Sequence, residues 1–196
     1  YNAVNIMMKK LIAIFCLLLT GLAGFSQAQP DEYQQGGFCT LNGQFYPIEK
    51  GISITIGGSC GFIVKDFRIG AYFDGMSNAV KITGTDSEPH SLRQSHGGIY
   101  FGYPFFNDHS FHLLTDIKVG YGSSMLVNSV SRKGFDKAGF VAIVPSAAVE
   151  YSITDILKIS LGIEYMFHIK TKTPELYKQS ILNKPGVYVA LTLGLF

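Results

Sequence analysis

Between positions 52 and 64 the chain reads Ile-Ser-Ile-Thr-Ile-Gly-Gly-Ser-Cys-Gly-Phe-Ile-Val. Ile52, Ile54, Ile56, Cys60, Phe62 and Val64 share one parity, and Ser53, Thr55, Gly57, Ser59 and Gly61 the other. A period of two places unlike environments on the two faces of a β-strand. The same parity returns in one segment after another, each bounded by turn residues. Eight strands are predicted, over 36–48, 52–64, 67–76, 97–105, 110–122, 140–152, 157–169 and 187–196. The seventh is the cleanest, with Leu157, Ile159, Leu161, Ile163, Tyr165, Phe167 and Ile169 opposing Lys158, Ser160, Gly162, Glu164 and His168. Strands near ten residues suit a tilted membrane crossing.

The connections alternate in length. Lys65-Asp66, Asn107-Asp108-His109 and Thr154-Asp155 read as tight turns. Between them lie polar stretches at 77–96, 123–139 and 170–185. Short turns at one rim and long loops at the other are the habit of outer-membrane barrels. The Glu49-Lys50 connection breaks that habit, as a short link at the long-loop rim.

The N-terminal stretch fits export. Lys9 and Lys10 precede an apolar run over 11–24, and Ser26-Gln27-Ala28 offers a small-residue cleavage site. Residues 1–28 are expected to be upstream sequence plus a cleaved signal peptide, 29–35 a polar leader and 36–196 the barrel. Two of the 16 Lys and Arg fall in the signal, against 14 Asp and Glu in the whole chain, so the remainder is neutral. That balance gives nucleic-acid binding no support. Cys39 and Cys60 lie beyond the signal and would meet an oxidising compartment. A turn centred between Glu49 and Lys50 sets them opposite each other, both on the apolar face. They are either a cross-strand disulfide or two small apolar residues facing lipid.

Alternation alone does not say which face is inside, since a lipocalin-like soluble carrier also alternates. Three features select the membrane form. The polar face is rich in Gly, Ser and Ala, with charged residues only 15% of the chain, which suits a narrow filled lumen. The apolar face is uniformly bulky. Phe67, Tyr103, Phe105, Phe111, Tyr151, Tyr165 and Phe167 sit towards strand ends, as aromatic girdles would.

Several stretches resemble small eight-stranded outer-membrane β-barrel proteins of Bacteroidota, of the OmpA/OmpX-like kind. They are Gly36-Gly37-Phe38, Leu41-Asn42-Gly43-Gln44-Phe45, Gly57-Gly58-Ser59-Cys60-Gly61-Phe62-Ile63-Val64, Pro145-Ser146-Ala147-Ala148-Val149-Glu150-Tyr151, and Leu191-Thr192-Leu193-Gly194-Leu195-Phe196. The resemblance implies an all-β, up-and-down antiparallel transmembrane barrel in the outer membrane, and it lends no activity. One departure stands out: the apolar series Val189, Leu191, Leu193, Leu195 is out of phase with the final Phe196.

The lumen parity collects Arg68, Asp74, His112, Asp116, Lys118, Glu150, Lys158, Glu164 and His168. Counted from the tight turns, Arg68, His112, Glu150 and Lys158 form a lower layer, and Asp74, Asp116, Lys118 and Glu164 an upper one. Opposite charges in a narrow lumen are expected to pair, because lone buried charge is costly. A turn over 153–155 would set Glu150 facing Lys158. An ion path is a weaker reading, since side chains fill an eight-stranded interior. A membrane-embedded enzyme acting on outer-leaflet lipid would need Ser, His and a carboxylate converging. The residues available are His109 and Ser110 at a turn, and His90, Ser91, Ser95 and His96 in a long loop, and none shows that arrangement. Nothing in the sequence calls for a cofactor or metal. Basic loop residues Arg132, Lys133, Lys137, Lys170, Lys172 and Lys178 could contact lipid phosphates or an acidic extracellular ligand. The expected partners are outer-membrane lipid and, during biogenesis, the barrel assembly machinery, with the chain itself a monomer.

Overall fold

A computed structural model describes residues 35–48, 51–83, 89–106, 110–127, 134–170 and 183–196. Residues 1–28, where the signal peptide is expected, and 29–34 of the expected polar leader lie outside these residues. The described chain forms nine strands: β1 (Gln35–Ile48), β2 (Gly51–Val64), β3 (Phe67–Met76), β4 (Val80–Thr83), β5 (Pro89–Phe105), β6 (Phe111–Val127), β7 (Gly134–Thr154), β8 (Leu157–Lys170) and β9 (Lys184–Gly194). They run antiparallel in the order β3-β2-β1-β9-β8-β7-β6-β5-β4, and β3 also pairs with β5, which closes the sheet into a barrel. The β3–β5 pairing joins the two ends of the sheet along the barrel body, the arrangement by which a sheet can live in hydrocarbon.

The wall has eight staves, because β3 and β4 are one stave interrupted at residues 77–79. Both pair with β5, through Gly75↔Ser95 and then Val80↔Leu92. Where β3 leaves β2, the Asn78 side chain takes over the ladder. It accepts from Ile54 N at 2.8 Å and donates to Ile52 O at 2.8 Å. β1 seals against β9 over Phe38↔Gly194 to Phe45↔Val187.

The side chains sort by parity. Ile52, Ile54, Ile56, Phe67, Ile69, Phe73, Leu161, Ile163 and Phe167 are among the large apolar residues that face outward and are exposed. Their neighbours Ser53, Thr55, Arg68, Asp74, Ser160 and Glu164 face the lumen and are buried. Lumen glycines make room for the larger residues. A Cβ on Gly120 would sit 2.6 Å from the Tyr72 hydroxyl, and one on Gly57 would collide with the Asp74 carboxylate.

Two sequence expectations are corrected here. The strands run further than the polar stretches suggested: β5 begins at Pro89, β6 continues to Val127 and β7 starts at Gly134. His90, Ser91, Ser95 and His96 are therefore strand residues, not loop residues. The reason is an inversion of the pattern near the long-loop rim. Val80, Ile82, Leu92 and Leu126 point inward and are buried, while Lys81 and Arg93 point outward and are exposed. Above the apolar band the outside is polar and the inside apolar, as in a soluble barrel. The second correction concerns the β7–β8 hairpin. Glu150 faces Ser160, and Lys158 faces Ser152, with a bulge between Ser152 and Thr154. The turn itself falls at Asp155-Ile156, with Thr154 facing Leu157, later than the expected 153–155, and this later turn takes Lys158 away from Glu150.

Candidate functional site: the sealed polar lumen

The lower layer is built around Glu150, whose side chain is fully buried. Arg68 donates to both carboxylate oxygens, Nη1 to Oε2 at 3.0 Å and Nη2 to Oε1 at 2.5 Å. His112 Nε2 donates to Oε1 at 2.7 Å and Ser160 Oγ to Oε2 at 3.0 Å. Lys158 Nζ stands 3.9 Å from Oε1, reaching it diagonally despite the shifted register. The bidentate arginine is the strong form of such a pair. It comes from β3 and its carboxylate from β7, three staves apart around the wall, so this pair reaches across the lumen.

Phe196 closes the base. Its ring lies 3.9 Å from Lys158 Nζ and 5.0 Å from Arg68 Cζ. Leu195 points outward while Phe196 turns against the lumen cluster of Phe38, Ile63, Tyr72 and Tyr100. The out-of-phase final residue is thus an inward one, held by two cations over its π face.

In the upper layer Asp74 Oδ2 accepts from Lys118 Nζ and from Gln44 Nε2, each at 3.1 Å. The Tyr46 hydroxyl donates to Glu164, and the Tyr188 hydroxyl donates to Asp116 Oδ2 at 3.3 Å. His96 Nδ1 lies 3.2 Å from the Tyr72 hydroxyl, and His168 stacks on Phe140 at 4.4 Å between ring centroids. Between the layers is a cavity of about 20 Å³ touching Asn42, Arg68, Asp116, Lys118 and Tyr188. That is room for one water. Asn42 and Asp116 line it, and among the described residues neither Oδ1 has a hydrogen-bond partner, which suits a bridging water.

Above the polar layers two apolar clusters close the bore. Tyr46, Phe140, Ala142, Val144 and Met166 form one, and Ile48, Val80, Ile82, Leu92 and Leu126 the other. Val80, Ile82, Leu92 and Leu126 fall in stretches read as loop, so their part of the plug was not legible in the alternation, whereas Tyr46, Ile48, Phe140, Ala142, Val144 and Met166 lie on predicted strands. The tyrosine partners of Glu164 and Asp116 were also missed. Their lumen parity was the available signal.

Cys39 and Cys60 face each other across β1 and β2 and form a disulfide. It lies on the outward face, at the stave that seals the barrel. Of the basic residues at the long-loop rim, Lys137 is exposed on β7. Arg132, Lys133, Lys172 and Lys178 lie outside the described residues, as does the side chain of Lys170. Ser95 points outward and His96 inward, so this neighbouring pair does not converge. His109 lies outside the described residues, and no cluster of three or more His, Cys, Asp or Glu is placed to hold a metal among those described.

No protein-family pattern matches the chain, and no curated protein does. Solved structures do match. Neisserial surface protein A (NspA) superposes with a TM-score of 0.60 at 10% identity, covering 85% of this chain and 100% of that one. The outer membrane protein OprG from Pseudomonas aeruginosa gives 0.48 at 10% identity, covering 82% and 93%. Ail, the attachment invasion locus protein of Yersinia pestis, gives 0.42 at 8% identity, covering 82% and 97%. The likeness to NspA shows the fold: this chain is an eight-stranded antiparallel barrel of the kind found in small outer-membrane proteins.

Proposed function

We propose that the chain is a monomeric outer-membrane β-barrel protein that acts through its outer rim, as a structural or surface-interaction element. It belongs with the small Bacteroidota barrels it resembles, and it reaches the membrane by signal-directed export and the barrel assembly machinery. One observation carries this reading, the opposition of the two barrel faces. Outside is a band of exposed Ile, Leu, Val and Phe, which water would not tolerate and lipid requires. Inside, Arg68 and Lys158 meet Glu150, Lys118 meets Asp74, tyrosine hydroxyls hold Glu164 and Asp116, and apolar side chains cap both ends.

The same opposition weighs against the other readings. A soluble carrier would keep its large apolar residues inside. A channel would need an open bore past Arg68, Asp116 and Lys118, where this lumen has room for one water. A lipid-directed enzyme would need Ser, His and a carboxylate meeting at one rim.

The experiment is fractionation with conductance. After an alkaline carbonate wash and density separation, the chain is expected with the outer membranes, and the purified protein is expected to give no conductance steps in a planar bilayer. Stable ohmic steps would overturn the plugged-barrel reading in favour of a channel. Release by carbonate would overturn membrane insertion.

A further inference from the structure

The outward face carries a break in its apolar band at the level where the hydrophobic pattern inverts. In one cross-strand row Phe73, Gly97 and Tyr121 stand side by side on β3, β5 and β6. The two rings are 62% and 60% exposed, with only a glycine between them. The next outward row reads Gly75, Ser95, Ser123 and Gly139 across four staves. Small residues above and bulky rings at the sides leave a groove of about 410 Å³ running up β5. That volume lies in the range of about 300–1,000 Å³ usual for small-molecule sites. Its floor is fixed by glycine: a Cβ on Gly97 would lie 3.0 Å from the Tyr72 carbonyl oxygen and 3.2 Å from the Phe73 ring.

Charge stands only at the upper end of this groove. Lys137 lines it and is exposed. Arg93 occupies the next outward position on β5 beyond Ser95 and is also exposed. Neither makes an ion pair among the described residues. Below Phe73 and Tyr121 the outward face is Ile69, Ile99, Phe101, Ile117 and Val119, without a charge. The groove is thus apolar where it meets the membrane and cationic where it leaves it.

We propose that this groove holds a phosphate-bearing lipid of the outer leaflet. Its acyl chain lies over Gly97 between Phe73 and Tyr121, and its phosphate is held by Lys137 and Arg93. Guanidinium and ammonium donors form short charge-assisted bonds to phosphate. The membrane boundary places the headgroup of a lipid at the height of these two cations. The inference rests on the membrane-barrel reading and names the partner that reading leaves open.

The test uses the full chain folded in detergent, native mass spectrometry, and dimyristoyl phosphatidic acid as probe. Dimyristoyl glycerol, with the same chains and no phosphate, and inorganic phosphate serve as comparisons. One phosphatidic acid is expected per barrel, bound about tenfold or more tightly than the glyceride. The pair Arg93→Glu and Lys137→Glu is expected to weaken it about tenfold. Ser95→Leu, which fills the groove without touching the charges, is expected to weaken it too. Lys184→Glu, at the same rim on β9, two staves from Lys137 and four from Arg93, leaves it unchanged. Equal binding of the two lipids would reduce the groove to ordinary annular contact and overturn the proposal. So would an equal loss with Lys184→Glu, or displacement of the lipid by inorganic phosphate at matching concentration, which would mark a free-anion site. Every variant is first checked for the heat-induced gel shift of the parent barrel. Loss of the shift in the parent would fail the membrane reading itself, separately from the lipid site.

Discussion

Replacing Glu150 by leucine removes the one carboxylate of the lower layer. Arg68 loses both of its bonds to that group, at 3.0 and 2.5 Å, and Lys158 its neighbour at 3.9 Å. Arg68 is 2% exposed, so water cannot take the place of the carboxylate. Removing one partner of a buried ion pair costs about 3–5 kcal/mol, most of it the penalty of the charge left behind. At a slope of about 2 kcal/mol per M urea, that moves the unfolding midpoint down by about 2 M. Removing both charges with Arg68→Met and Glu150→Leu takes the stranded guanidinium away. The double variant is therefore expected to recover at least half of the loss. The assay is urea unfolding in lipid vesicles, followed by the fraction of compact, heat-modifiable band. Far-ultraviolet circular dichroism provides the second probe, since the chain has no tryptophan to report by fluorescence. A Glu150→Leu midpoint within about 0.5 M of the parent would refute the reasoning. A double variant no more stable than the single one would refute it equally, since the cost would then lie in packing and not in uncompensated charge.

Other consequences are open to direct measurement. Phe196→Ala removes the ring beneath Lys158 and Arg68 and is expected to cost about 1–3 kcal/mol in the same urea assay, from two cation–π contacts and lost packing. Asn78→Ala strips two hydrogen bonds from the outer end of β2 and is expected to cost about 1–2 kcal/mol, with faster amide exchange at Ile54 as its local signature. Cys39 and Cys60 are expected to resist alkylation in the unfolded protein until a reductant is added, and the Cys39→Ser, Cys60→Ser pair to lose about 2–4 kcal/mol. Labelling of either thiol without reductant would show that the bridge does not form.

The staves that cross the membrane were legible in the sequence because lipid enforces one rule on every outward position. Leu157 to Ile169 on β8 show it without exception, and the Cys39↔Cys60 register followed from the turn between their strands. The rim was not legible, because the rule reverses there. Gln94, His96 and Ser124 point into the bore while Arg93 points out, so polar residues fall on both parities and the segment reads as loop. Leu92 and Leu126 then lack the company that would mark them as a plug. The lumen layers were legible as a set of charges at two heights. Their partners depended on detail beyond parity. A β7–β8 turn at Asp155-Ile156, and not over 153–155, set Ser160 in place of Lys158 opposite Glu150, and the tyrosines that hold Glu164 and Asp116 reach across from β1 and β9.

The central claim is a closed barrel whose apolar face meets lipid. Electrophoresis of the detergent-extracted outer-membrane fraction, with and without boiling, tests it most directly. The account predicts a compact, faster-running band that shifts to the position of the unfolded chain only on boiling. A chain recovered in the soluble fraction, running at one position under both conditions, would contradict it.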